Sequence, residues 1–141
     1  MPIVFAAVTP HSPVLLPSIG KEHLKKLRKT VTAMRRLEQE LYAAHPDTIL
    51  LISPHGAAAD GHFTIDLNER YICDLKEFGI MDSDMTFRAD MRLASALQEH
   101  LEDRGIPLML RSEPGLDYGV AVPLSYLTAH LPSMQIVPIT P

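Results

Sequence analysis

The stretch PDTILLISPHG, Pro46 to Gly56, decides how the chain folds. Pro46 disfavours helical backbone at the residue before it and so marks the end of whatever helix precedes it. Thr48 to Ser53 (TILLIS) is a short apolar run with β-branched members, the pattern of a strand buried on both faces. The chain then leaves the strand through Pro54 straight into His55. Upstream, Leu24, Leu27, Val31, Met34, Leu37, Leu41 and Ala44 recur at spacings of three and four, with Lys and Arg on the other faces. That period predicts an amphipathic helix from just after Gly20 to Pro46. Further upstream, Ile3 to Val8 (IVFAAV) reads as another buried strand, ending in Thr9-Pro10-His11. The first half is therefore expected to be a right-handed β-α-β unit with parallel strands, placing His11 and His55 at one edge of the sheet.

Downstream, Phe63–Ile65 and Arg70–Ile72 are candidate short strands separated by turn-forming residues. Met91, Ala94, Leu97 and Leu101 predict a helix within Arg88–Arg104, stopped by Gly105. Pro107–Leu110 reads as a third core strand. Val122–Leu131 reads as a helix with Pro123 in its first turn, and Gln135–Ile139 as a last strand. The fold class is α/β, and no repeat, linker or low-complexity segment divides residues 1–141.

Composition narrows the function classes. Thirteen basic against 17 acidic residues give a net charge of −4, and the basic residues gather in Lys21–Arg36 without interleaved aromatics. Nucleic acid is not the expected partner. Cys73 is the only cysteine, so no internal disulfide forms, which fits a reducing compartment. Ile3–Val8 is too short, and lacks the charged start, to serve as a signal peptide or membrane span. A cytoplasmic protein is expected.

The chemistry is concentrated at the two histidines. In an open parallel sheet ligands bind beyond the carboxyl ends of the strands, and there His11 and His55 would converge. Proline before each fixes the local backbone, and rigid placement is what a metal ligand needs. Gly56 would let the backbone pass close to whatever His55 holds. Two exposed loop histidines are the plain alternative, and their shared setting argues against it. His62 is a candidate to reach the same pocket as a substrate-facing or supporting group. Asp60 and Asp117 are the nearest carboxylates in sequence, and either could stand in as a third metal ligand; Asp117 is also a candidate to face the substrate or support the site, while Asp60 is as easily a turn former and Asp117 a helix cap. Ser12 and Ser53 flank the histidines, but no His-Asp pattern marks either as a nucleophile. His23, His45, His100 and His130 sit on or beside helices and read as surface residues. Cys73 reads as a buried small side chain rather than a ligand.

TPHSPVLLPSIG, a long basic amphipathic helix, PDTILLISPHG and then GLDYGVAVPLSYL follow one another in an order that resembles the LigB-type (class III) extradiol ring-cleaving dioxygenases and their Memo-like relatives. The resemblance covers nearly the whole chain. It implies an α/β domain with a mostly parallel sheet and helices on its faces, of which residues 1–141 would be the N-terminal part, truncated at the C-terminus. It also implies one non-haem Fe(II), with Zn(II) as the alternative, held by two histidines matching His11 and His55 and by a glutamate from much later in the chain. Two imidazoles and a carboxylate on one face of iron leave room for a catecholate and O₂. The implied substrates are a small aromatic diol and O₂, in aromatic compound catabolism, with no membrane partner. Where ring-cleaving relatives often carry an acid–base histidine, this chain has Tyr118, a phenol with an ordinary pKa of about 10. Tyr118 could serve catalysis, orient a ligand or simply pack. A metal-dependent hydrolase on the same scaffold and a non-catalytic Memo-like binding module remain the other readings. A missing half would leave apolar surface exposed, which allows a homodimer.

Overall fold

The computed structural model describes residues 2–56, 61–81, 83–113 and 115–141. The chain starts with an extended segment, and among the described residues 2–12 join no ladder. A 3₁₀ turn at Pro13–Leu15, a single helical turn α1 (Pro17–Gly20) and a second 3₁₀ turn at Lys21–Lys25 lead into α2 (Arg28–Ala44). Then come β1 (Thr48–Ile52), β2 (Phe63–Asp66), β3 (Arg70–Cys73), β4 (Thr86–Ala89), α3 (Met91–Glu102), β5 (Leu108–Arg111), β6 (Gly115–Leu116), α4 (Tyr118–Leu127) and β7 (Gln135–Thr140).

Among the described residues, seven strands form one sheet in the order β5-β2-β7-β4-β3-β6, with β1 also paired to β7. The class is α/β as expected, but the sheet is mixed rather than mostly parallel. β1–β7, β2–β5, β3–β6 and β4–β7 run parallel, whereas β2–β7 and β3–β4 run antiparallel. The cause is the connections. Parallel neighbours need a long crossover, usually a helix, and among the described residues no α-helix separates β1 from β2 or β3 from β4.

β7 is the centre. Its alternate residues enter two cores, Ile136 on one side and Val137 on the other, as the period of two requires. Ile136 joins Leu15, Leu16, Tyr71, Leu116, Val120 and Leu124 beneath α4, while Val137 joins Ile65 and Ala94 beneath α3. Pro138 has no N–H to give a ladder. It sits where the pairing with β4, ending at Ile136, gives way to the pairing with β2, beginning at Ile139.

Several expected elements change. Ile3–Val8 is not a strand: Ile3 is 89% and Val8 100% exposed, because no partner strand lies beside them among the described residues. The β-α-β unit is thus missing its first strand. β1 forms where expected but pairs only with β7 among the described residues, so Leu50 and Ile52 face outward. α2 starts later than its apolar period suggests, since Lys21–Lys25 winds as 3₁₀ and Lys21 takes a positive φ. Its end is as read, with His45 in the left-handed conformation before Pro46. β2, β3, β7, α3 and the positive-φ stop at Gly105 are also as read. β5 is an outer strand with half its residues exposed rather than a core strand. α4 begins at Tyr118, so Pro123 lies in its second turn.

On α2 the buried face includes Glu38 between Met34 and Leu41. Its carboxylate meets Nδ1 of His130, just past α4, at 2.8 Å. A charge on an apolar stripe is tolerated where it finds such a partner.

Candidate functional site

The carboxyl ends of β1 and β7 lie at one edge because the two strands are parallel in register. β1 runs out into Ser53, Pro54 and His55, and the Ser53 N–H still donates to the Ile139 carbonyl of β7. The following turn is pressed against β7: a side chain at Gly56 would collide with Thr140. Gly56 therefore serves a close approach of backbone to sheet, rather than to something held by His55.

His11 comes from the extended N-terminal segment. Immediately after it, the Pro13–Leu15 turn buries Leu15 and Leu16, and the Tyr126 hydroxyl of α4 donates to the Leu15 carbonyl. One helix thus braces both histidines, because Tyr118 at its first turn reaches His55. The Nε2 atoms of His11 and His55 are 2.8 Å apart, with the rings edge to face. On its other side, Nδ1 of His55 lies 3.2 Å from the Tyr118 hydroxyl, and the two rings are tilted 31° with centroids 4.5 Å apart. Phe78 packs edge-on against Tyr118.

His55 rests on a part-buried polar support in which Ser53 is buried and Asp117 half-buried. The Ser53 hydroxyl donates to Oδ1 of Asp117 at 2.9 Å and accepts from the His55 N–H at 3.3 Å. Asp117 caps α4 through the Gly119 N–H at 2.6 Å. Of its two readings, the cap is the one the geometry carries. Through Ser53, Asp117 supports the backbone of His55 from a distance.

A cleft of about 260 Å³ opens beside His55, lined by Gly56, Asp66, Arg111, Asp117, Val120 and Thr140 among others. In its wall Arg111 and Asp66, partners across β2 and β5, form a forked ion pair with N–O distances of 2.9 to 3.1 Å. Burial holds the Asp66 carboxyl above its usual range, against the pull of Arg111. This pair was not found from sequence, since only strand register joins positions 66 and 111.

The remaining candidates fall elsewhere. His62 is exposed at the start of β2, engaged in its own contacts, and does not line the cleft. Asp60 lies outside the described residues. Ser12 is exposed, His100 bonds Arg104, and His130 holds Glu38. Cys73 is buried, its thiol pushed up to about 12 by desolvation. Among the described residues no third His, Cys, Asp or Glu joins the histidine pair in a metal-sized group. Two imidazole nitrogens at ~2.0–2.1 Å from one ion stand roughly 2.9 Å apart at a right angle and roughly 3.3 Å apart at the tetrahedral angle, so the two rings are near enough to share an ion, although 2.8 Å is also the length of an N–H···N hydrogen bond between them.

The fold is thus an α/β sheet with His11 and His55 paired beside its carboxyl edge. Residues 5–141 fit the family model described as the catalytic LigB subunit of aromatic ring-opening dioxygenase, and the chain belongs to that family. It is also similar to Protein CA_C1420 of Clostridium acetobutylicum, 23% identical over 140 residues. That alignment covers 93% of this chain and 30% of the relative, so the chain spans under a third of the curated protein it matches. No helix among the described residues is long and apolar enough to cross a membrane.

Proposed function

We propose that the chain is the histidine-bearing portion of a non-haem Fe(II) extradiol dioxygenase that opens catechol-type rings with O₂. The observation that carries the reading is the 2.8 Å separation of the His11 and His55 Nε2 atoms in a member of the LigB family. When bound, iron would bring a catecholate and O₂ to one centre and let electron density pass from ring to oxygen. His11 and His55 supply neutral imidazole donors aimed at one point. The Pro10-His11 and Pro54-His55 steps, the Leu15 anchor and the Ser53–Asp117 support hold them there with little ordering left to do. The cleft beside His55 has room for one aromatic ring, and the Asp66–Arg111 pair keeps its wall polar. Two imidazoles are two of the three protein ligands such a centre uses, so the residues described here are expected to bind metal with modest affinity.

The test is anaerobic calorimetric titration of Fe(II) into the wild type, His11→Ala, His55→Ala and, as control, His100→Ala, followed by oxygen uptake with catechol. One ion per chain, lost in the first two variants and kept in the third, is the expected result. Equal loss in the control would remove the site. Uptake of zinc in preference to iron, with no oxygen consumption, would move the reading to a hydrolase or a binding module.

A further inference from the structure

His11, His55 and Tyr118 form a continuous hydrogen-bonded chain, Nε2 to Nε2 at 2.8 Å and Nδ1 to hydroxyl at 3.2 Å. A neutral imidazole carries one N–H and one lone pair, and two bare nitrogens cannot face each other at that distance. One hydrogen must lie between the histidines. The chain therefore has two polarities. In one, Tyr118 donates to Nδ1 of His55, whose Nε2–H donates to His11. In the other, His11 donates to Nε2 of His55, whose Nδ1–H donates to Tyr118.

We propose that Tyr118 is a positioning residue that holds the Nδ1 side of His55 and selects its Nδ1–H tautomer when a cation is bound by both Nε2 atoms. This rests on the reading of the histidine pair as a metal site. A cation there takes both Nε2 lone pairs, so the hydrogen of His55 can only be on Nδ1, where the Tyr118 oxygen accepts it. Metal-bound histidines are commonly oriented and made more basic by such a partner on the other ring nitrogen. The phenol is fixed for the task from three sides. It is the first residue of α4 after the capping Asp117, its ring lies against His55, and Phe78 packs edge-on against it. A hydroxyl that accepts from His55 keeps its own hydrogen to offer to a ligand oxygen. Its geometry is thus that of a support for His55 rather than of a free acid–base group.

Tyr118→Phe keeps the ring and deletes the oxygen. The readouts are Zn(II) affinity by calorimetry and the imidazole ¹⁵N resonances of His55 at about pH 8, where a free histidine is neutral. In the wild type, zinc should leave His55 with a protonated Nδ1, and the variant should bind zinc about tenfold more weakly, with a shifted Nδ1 resonance. Zinc uptake with unchanged affinity and an unchanged Nδ1 resonance in Tyr118→Phe overturns the positioning role alone. No zinc uptake by the wild type overturns the metal-site reading, and the tautomer selection with it.

Discussion

Gly119 lies so close to His55 that a β-carbon at position 119 would stand 3.0 Å from Cδ2 of the imidazole and 2.7 Å from Oδ1 of Asp117. It would also strike the Ser53 hydroxyl. The backbone here is ordinary helix, so the glycine answers to crowding rather than to a special dihedral angle. Gly119→Ala should push the imidazole and loosen the cap, costing about 1–3 kcal/mol of stability by overpacking. It should also lower metal affinity at least as far as Tyr118→Phe does. Denaturant unfolding and calorimetry on the one variant measure both; a variant with wild-type stability and affinity would show that the crowding relaxes harmlessly.

The same crowding explains the glycine after His55. Gly56→Ala meets the Thr140 side chain, and a similar loss of about 1–3 kcal/mol is expected. Thr140→Ala in the same chain should return part of it, because the hydroxyl and methyl that collide are removed while the β-carbon stays. Additive losses in the double variant would place the cost somewhere other than this contact.

Much of the site was legible because its signals are local. Pro-His after an apolar run is visible in one dimension, and so is the period of α2 and α3. What could not be read depends on partners. IVFAAV has the composition of a strand, yet a strand exists only where another lies beside it, and Ile3–Val8 has none among the described residues. β4 escaped notice because Thr86–Ala89 has no apolar run and is made a strand by its neighbours β3 and β7. The apolar period of α2 runs through Leu37, which is half-buried, while its neighbour Glu38 is the more deeply buried residue and meets His130, a pairing no period reveals. Tyr118 was recognised by its place in GLDYGV, while its role depends on which atom of His55 it meets.

Asp90 caps α3 by accepting from the Leu93 N–H at 2.9 Å and from the Thr48 hydroxyl of β1 at 2.6 Å. Burial opposes its ionisation, but the hydrogen bonds from Thr48 and Leu93 prevail and hold its carboxyl below the usual 3.8. A carboxyl lowered by folding stabilises the folded state above its unfolded value and loses that contribution as pH falls through the folded one. Asp90→Ala should therefore cost about 1 kcal/mol at neutral pH and less on acidification below about pH 3.8. Urea midpoints at two pH values decide it, and an equal deficit at both would mean that the cap acts without its charge.

Asp66 behaves in the opposite sense. Desolvation holds its carboxyl above 3.8 although Arg111 pulls it down. A raised carboxyl favours the protonated folded state, so its contribution is fully present below 3.8 and declines as pH rises from there through the folded value. Without Arg111 the buried charge has lost its forked partner, and the folded value rises further. Arg111→Met should then destabilise by about 2 kcal/mol near neutrality, below the full range for a wholly buried pair because both side chains keep some exposure. The deficit should shrink toward acid, where Asp66 is neutral in either state. Adding Asp66→Asn should recover part of the neutral-pH loss, since the carboxylate left without its forked partner is then removed. A deficit that is independent of pH and untouched by Asp66→Asn would assign the effect to the packed stem of Arg111, and the pair would not be what keeps the cleft beside His55 in shape.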